Sequence, residues 1–206
     1  MFARTLCLLA LAGAGVPAAS AASPQRADVL IQHATLVDVD AARTVPGQSV
    51  ALRGEDIVAV GDDASMASRW TATRRVDAGN RYLVPGLWDM HVHFGGGPAL
   101  IEENKALLPL YVAHGITTVR DASGDLPQQV LQWRGQIASG ALDGPRLLTS
   151  GAKIEGLKPV WKGTLEVGSE ADVDAAIAQL RRDRVDFVKI TDSTLKPELF
   201  LYAASA

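Results

Sequence analysis

The chain is short of several things that would announce a protein class. It holds one cysteine, Cys7, in 206 residues. That cysteine falls in the leader-like first stretch, so the rest has no disulfide framework and no cysteine nucleophile. Neither sign of charge is in large excess: 20 Lys and Arg stand against 23 Asp and Glu, for a net charge of −3. With no basic stripe, nucleic acid is excluded as the expected partner. Beyond the first residues there is no long hydrophobic run and no low-complexity tract. No glycine-rich phosphate-binding fingerprint follows any candidate strand, which argues against a nucleotide-binding sheet.

Residues 1–21 read as a secretory signal peptide. Arg4 is the positive start, residues 6–16 form the apolar core, Pro17 breaks it, and Ala19-Ser20-Ala21 is a small-residue cleavage pattern. The apolar run is shorter than the roughly 20 residues that a membrane-spanning helix needs. The expectation is a secreted or periplasmic protein with no stable membrane anchor after cleavage. Oligomeric state is not legible.

Residues 22–84 carry short apolar runs separated by turn signals. Strands are expected over 29–31, 35–38, 49–52 and 57–61, with a turn at Val45-Pro46-Gly47-Gln48 and a hairpin at Arg53-Gly54-Glu55-Asp56. This is read as part of a small β-sandwich. His33 lies here without partner residues and reads as a surface or turn histidine.

From Pro85 to the end the rhythm changes. Strands start near residues 87, 116, 145 and 186, and helices are expected over 98–114, 127–139 and 169–184, with another from about 194. Residues 151–168 read as a long loop containing Trp161. His114 closes a helix, where its side chain suits the helix dipole. Alternating strands and helices point to an α/β fold with a parallel sheet: half of an eight-fold barrel, or part of a doubly wound sheet.

The chemistry-bearing stretch is the first of these strands. In Leu87-Trp88-Asp89-Met90-His91-Val92-His93-Phe94, alternation puts Leu87, Asp89, His91 and His93 on one face and Trp88, Met90 and Val92 on the other. Two imidazoles on one face, at the strand end and just before Gly95-Gly96-Gly97, are how a strand delivers two nitrogens to one metal ion. Lys189 in Phe187-Val188-Lys189-Ile190 faces the same interior. A lysine there is either neutralised, paired or used in chemistry, or the strand end frays and lets it reach solvent. Its amine is a nucleophile, and after reaction with carbon dioxide it becomes a carbamate able to bridge two metal ions.

These residues carry a resemblance. The segment from Val84 to Phe94, then Gly115-Ile116-Thr117-Thr118-Val119-Arg120-Asp121, Gly144-Pro145-Arg146 and Asp186-Phe187-Val188-Lys189-Ile190, resembles the amidohydrolase superfamily, in its imidazolonepropionase-like and Xaa-Pro dipeptidase-like branch. The resemblance implies a metal-bearing (β/α)8 TIM barrel with a small β-sandwich. It implies that His91 and His93 bind the more buried metal and that Lys189 is carboxylated and bridges two divalent ions, usually zinc. It further implies hydrolysis of an amide or other C–N bond in a small, amide or dipeptide-like substrate, with a metal-bridged hydroxide as nucleophile.

The family's later ligand histidines and its general-base aspartate have no counterpart up to Ala206. The chain is therefore expected to be the N-terminal part of such an enzyme, inactive alone and without a catalytic base of its own. Other readings are a non-catalytic remnant or a metal-free periplasmic binding protein. Asp89 either orients a ligand imidazole or is a structural acid. Arg120 either holds a substrate carboxylate or pairs near Asp121, and Trp161 either walls the pocket or pins its loop. Lys153 and Lys158 are expected to be solvated.

Overall fold

A computed structural model describes residues 23–206; the expected signal peptide, residues 1–21, lies outside the described residues. The chain divides into two units, one ending at Val84 and the other running from Pro85 to Ala206.

The first unit is a single five-stranded sheet. Strand β1 (Gln25–Asp38) pairs antiparallel with β2 (Arg43–Arg53), which pairs antiparallel with β3 (Asp56–Asp62). After helix α1 (Asp63–Arg69), β4 (Trp70–Asp77) returns parallel to β1, and the two-residue β5 (Tyr82–Leu83) also pairs with β1. Asp62 caps α1 by accepting the Ser65 N–H at 2.9 Å. Met66 of that helix and Trp70 close over Ala27, Leu30 and Ala51. Among the described residues this unit forms one sheet, and the layer packed against it is α1.

Two local expectations change here. The strands read over 29–31 and 35–38 are one strand, irregular at His33, whose φ is +55°. The turn expected at residues 45–48 lies inside β2. Between Ala34 and Leu36 the partner strand advances from Gln48 to Val45, so Pro46 and Gly47 are absorbed as a bulge and the chain does not reverse.

In the second unit, β6 (Leu87–Val92), β7 (Ile116–Asp121) and β8 (Arg146–Thr149) form a parallel sheet in that order. A 3-10 turn at Pro98–Leu100 leads into α2 (Ile101–Ala113), and α3 (Pro127–Ala138) joins β7 to β8. The expected long loop contains two three-residue strands, β9 (Ile154–Gly156) and β10 (Leu165–Val167), paired in parallel. They are too short to show an alternating pattern. Helices α4 (Glu170–Arg182) and α5 (Pro197–Ser205) follow, and α4 begins at Ser169, whose hydroxyl accepts the Asp172 N–H at 3.3 Å. Among the described residues no helix is long and apolar enough to cross a membrane.

The fourth strand, expected at 186–191, is not a regular strand. Asp186 N–H donates to the Thr149 carbonyl, Ile154 N–H to Lys189 and Thr191 N–H to Ile154, at 2.9, 2.9 and 3.0 Å. The segment therefore runs parallel to 149–154 with one true bridge, Ile154 to Ile190. Two features break the ladder. Gly151 turns the neighbouring chain away at φ +61°, and the Asp186 carboxylate takes the Thr149 N–H at 2.8 Å. On the face of β6 expected to pack under a helix, Val92 is buried, but Trp88 and Met90 are about half exposed, because α2 packs over β7.

Candidate active site

Two residues past the end of β6, Phe94, with no exposure, plugs into the core that holds Val92, Val119, Val130 and Trp133. Its ring meets Trp133 edge-on, centroids 5.7 Å apart. Alternation then sends His91 and His93, on either side of buried Val92, the opposite way. Their Nε2 atoms stand 3.1 Å apart and their rings meet at 60°. The Nδ1 of His93 contacts the Ser123 carbonyl. A carbonyl can only accept, so this nitrogen carries the proton and leaves Nε2 with a free lone pair.

Two nitrogens that share one tetrahedral zinc at about 2.0–2.1 Å lie roughly 3.3 Å from each other. The observed spacing matches that chelating geometry within a few tenths of an ångström. Among the described residues no three His, Cys, Asp or Glu side chains converge. Among the described residues, the candidate donors brought together here are the two imidazoles, with the amine of Lys189 close by.

Lys189 comes to the same place. Its Nζ donates to the Ala122 carbonyl at 2.7 Å, next to the carbonyl that holds His93. Both side chains line one cavity of about 650 Å³, together with Asp125, Lys153, Trp161 and Thr191. Burial first, and then the nearby Lys153 ammonium, hold the Lys189 amine below the ordinary lysine range, with Asp121 opposing.

Behind this wall Asp121 is fully buried. One carboxylate oxygen accepts from the Thr149 hydroxyl at 2.7 Å, and the other has no hydrogen-bond partner. Burial pushes its carboxyl above the usual aspartate range, partly offset by Thr149, the Phe94 N–H, His93 and Lys189.

The remaining singled-out residues separate into those at the cavity and those beside it. Asp89 accepts the His91 backbone N–H at 3.1 Å, so it shapes the chain ahead of the imidazoles. Arg120 does not line the cavity. Its guanidinium lies 4.5 Å over the Phe187 ring and reaches the Met90 carbonyl at 3.4 Å, and among the described residues it forms no ion pair with Asp121. Trp161 lines the cavity while 64% exposed. Lys158 is exposed as expected.

Lys153 is not solvated: it is buried, its ammonium 3.4 Å from the fully buried Glu155 and 5.5 Å from the centre of the Trp161 ring. Sequence reasoning treated it as an isolated charge because β9, which begins at the next residue and carries Glu155, leaves no periodic signal. Asp125 was also missed. One of its oxygens accepts the N–H groups of Gly96 and Gly97, at 2.9 and 3.3 Å, and fixes the glycine run after His93. The run Asp121-Ala122-Ser123-Gly124-Asp125 at a strand's C-terminal end was the available sign. His33 sits in the first unit with Nδ1 3.1 Å from Asp77, and His114 bonds the Leu110 carbonyl at the end of α2.

Comparison with known proteins gives a consistent picture. No protein-family model matches the chain. It is 37% identical over 101 residues to the adenine deaminase of Ruegeria pomeroyi, covering 49% of this chain and 16% of that protein. It is 36% identical over 114 residues to the adenine deaminase of Rubrobacter xylanophilus, covering 52% and 19%. Among solved structures, a Xaa-Pro dipeptidase with bound methionine matches with a TM-score of 0.64 at 23% identity, covering 79% of this chain and 46% of that one. The ochratoxinase of A. niger matches with a TM-score of 0.65 at 19% identity, covering 81% and 47%. The chain thus spans less than a fifth of these curated relatives and less than half of these solved chains.

Proposed function

We propose, from the premise that this chain is a relative of the amidohydrolase superfamily in sequence and shares its fold, that it forms part of a metal-dependent hydrolase acting on amide or other C–N bonds of small molecules. The observation that carries the reading is the His91–His93 pair, nitrogen to nitrogen at 3.1 Å, with His93 sharing one cavity with Lys189.

In this reading His91 and His93 hold a divalent ion, zinc, and Lys189 supplies an oxygen ligand once carboxylated. The bound ion would activate water and polarise the carbonyl that is attacked. The chain's own residues prepare the site. The Ser123 carbonyl keeps the proton of His93 on Nδ1 and its Nε2 pair available. The lowered basicity of Lys189 raises the fraction of free amine, the form that adds to carbon dioxide with loss of one proton. Asp125 holds the glycine run at the cavity rim.

Zinc titration of the purified protein tests this. Wild type is expected to take up zinc, and His91→Ala and His93→Ala to weaken uptake by more than the roughly 10–100-fold that an outer-shell change costs. Equal zinc affinity in all three would sink the reading. Carboxylation of Lys189 predicts a carbamate carbon signal with labelled bicarbonate that is absent in Lys189→Ala. The leader pattern supports export to the periplasm or beyond, and an exported product that begins near Ala22 is the expected result of N-terminal analysis.

A further inference from the structure

Arg120 sits in β7, the middle strand of the parallel sheet, and takes no part in the hydrolase reading above. Its ladder partner is Leu148 of β8, and the segment that carries Lys189 runs on the far side of β8, bonded to Thr149. Two strand spacings, roughly 10 Å, therefore separate the backbone of Arg120 from that segment. Its guanidinium nevertheless lies 4.5 Å over the ring of Phe187, two residues before Lys189. The same group donates to the carbonyl of Met90, one residue before His91, at 3.4 Å. One half-buried side chain thus joins the chain ahead of the imidazoles to the chain ahead of the amine.

The joint matters because the sheet alone does not fix the separation of these donors. The register of β6 on β7 shifts between Asp89 and Val92, just where the imidazoles begin. The Lys189 segment is tied to its neighbour by one bridge, and Gly151 turns that neighbour away. An interruption of the ladder therefore lies on each side. The Lys189 amine has its own hydrogen bond to the Ala122 carbonyl, but a flexible four-carbon stem can reach one carbonyl from several backbone positions. The residue type suits the task. A guanidinium is planar and permanently charged, so it can stack on an aromatic face while an N–H at its edge meets a carbonyl. An ammonium is a compact point charge and has no such plane.

We propose that Arg120 is a positioning residue: by clamping Phe187 to the Met90 carbonyl, it sets where Lys189 stands relative to the His91–His93 pair. The use of the clamp rests on the hydrolase reading, in which Lys189 becomes a ligand once carboxylated. The clamp itself is measured on the metal-free protein.

Amide hydrogen exchange without metal reads the clamp. The Ile154 and Thr191 N–H groups tie down the Lys189 segment, while the Ala122 N–H, bonded to the Val92 carbonyl at 2.8 Å, reports on β6 and β7. Arg120→Met and Phe187→Leu should each speed exchange at Ile154 and Thr191 by about tenfold. In Phe187→Leu the Ala122 amide should keep its wild-type rate, which separates a lost clamp from general loosening. The double variant should exchange no faster than either single one, since both remove the same contact. Phe187→Tyr keeps the ring and should keep wild-type rates; Arg120→Lys keeps the charge without the plane and should not. Zinc titration with and without bicarbonate reads the consequence. Wild type should bind zinc about tenfold more tightly with bicarbonate, and Lys189→Ala should lack that gain. Phe187→Leu should keep the bicarbonate-free affinity and lose most of the gain, and Phe187→Tyr should retain it. Wild-type exchange in Arg120→Met and Phe187→Leu, additive effects in the double variant, or a full bicarbonate gain in Phe187→Leu would each overturn the proposal. A wild type without any gain removes the carboxylated-lysine ligand from the hydrolase reading, and the exchange rates alone then decide the clamp.

Discussion

His91 and His93 meet nitrogen to nitrogen at 3.1 Å, while the other ring nitrogen of His93 is committed to the Ser123 carbonyl. The second contact decides the chemistry of the first. Because a carbonyl cannot donate, His93 in its neutral form must carry its proton on Nδ1. Long-range nitrogen–proton correlation spectra of the metal-free protein should therefore show His93 as the Nδ1–H tautomer. An Nε2–H tautomer would mean that the lone pair assigned to a metal is occupied by a proton, and the site would lose its first ligand.

Phe94 gives the histidines their direction. The ring is fully buried against Trp133, and the chain leaves it straight into the glycine run. Phe94→Ala removes that anchor and opens a cavity, which typically costs about 3–5 kcal/mol. Denaturant unfolding should show a loss of that order in Phe94→Ala and a smaller one in Phe94→Leu. A change well under 1 kcal/mol would show that the strand end is fixed by something other than this plug.

Asp121 predicts a pH dependence whose sign can be worked out. Burial raises its folded-state pKa above the ordinary 3.8. The folded protein then holds this proton at pH values where the unfolded chain has released it. Stability contributed by Asp121 therefore increases as pH falls through the raised folded value towards 3.8, and is constant below that. Unfolding curves at several pH values should show this rise in wild type and its loss in Asp121→Asn. Identical pH profiles for the two proteins would contradict the assignment.

What was legible in the sequence follows from how each signal is made. The strands around Leu87 and Ile116 and the helices that follow are long enough to show their periods, so β6, β7, α2 and α3 were readable. His91 and His93 announced themselves by sharing a face. The segment around Lys189 was expected as a strand because Val188 and Ile190 alternate correctly. Whether a ladder forms, however, depends on the neighbouring chain, and there Gly151 turns away. Lys153 and Glu155 were missed for a related reason. Their pairing is made where the chain enters β9, a three-residue strand whose register partners in β10 lie eleven residues further on. No local pattern encodes a pairing of that kind. Pro46-Gly47 shows the converse, a strong local turn signal overridden by the long strand pair that contains it.

Asp125 is the last residue whose role can be tested cleanly. It sits after β7, yet one of its oxygens accepts two N–H groups from the run that follows β6, those of Gly96 and Gly97. Gly96 and Gly97 have φ values of +100° and +83°, which leave their N–H groups pointing away from regular structure and in need of an acceptor. A carboxylate supplies it better than a neutral group, at about 1.5–3 kcal/mol for a hydrogen bond to a charge. Asp125→Ala should therefore speed hydrogen exchange at the Gly96 and Gly97 amides and lower stability by roughly 1–2 kcal/mol, since the site is partly open to solvent. Asp125→Asn can still present one oxygen and should restore part of the protection. If exchange at both glycines is the same in wild type and Asp125→Ala, the loop is held by its own backbone, and the link between the ends of β6 and β7 is not made by this carboxylate.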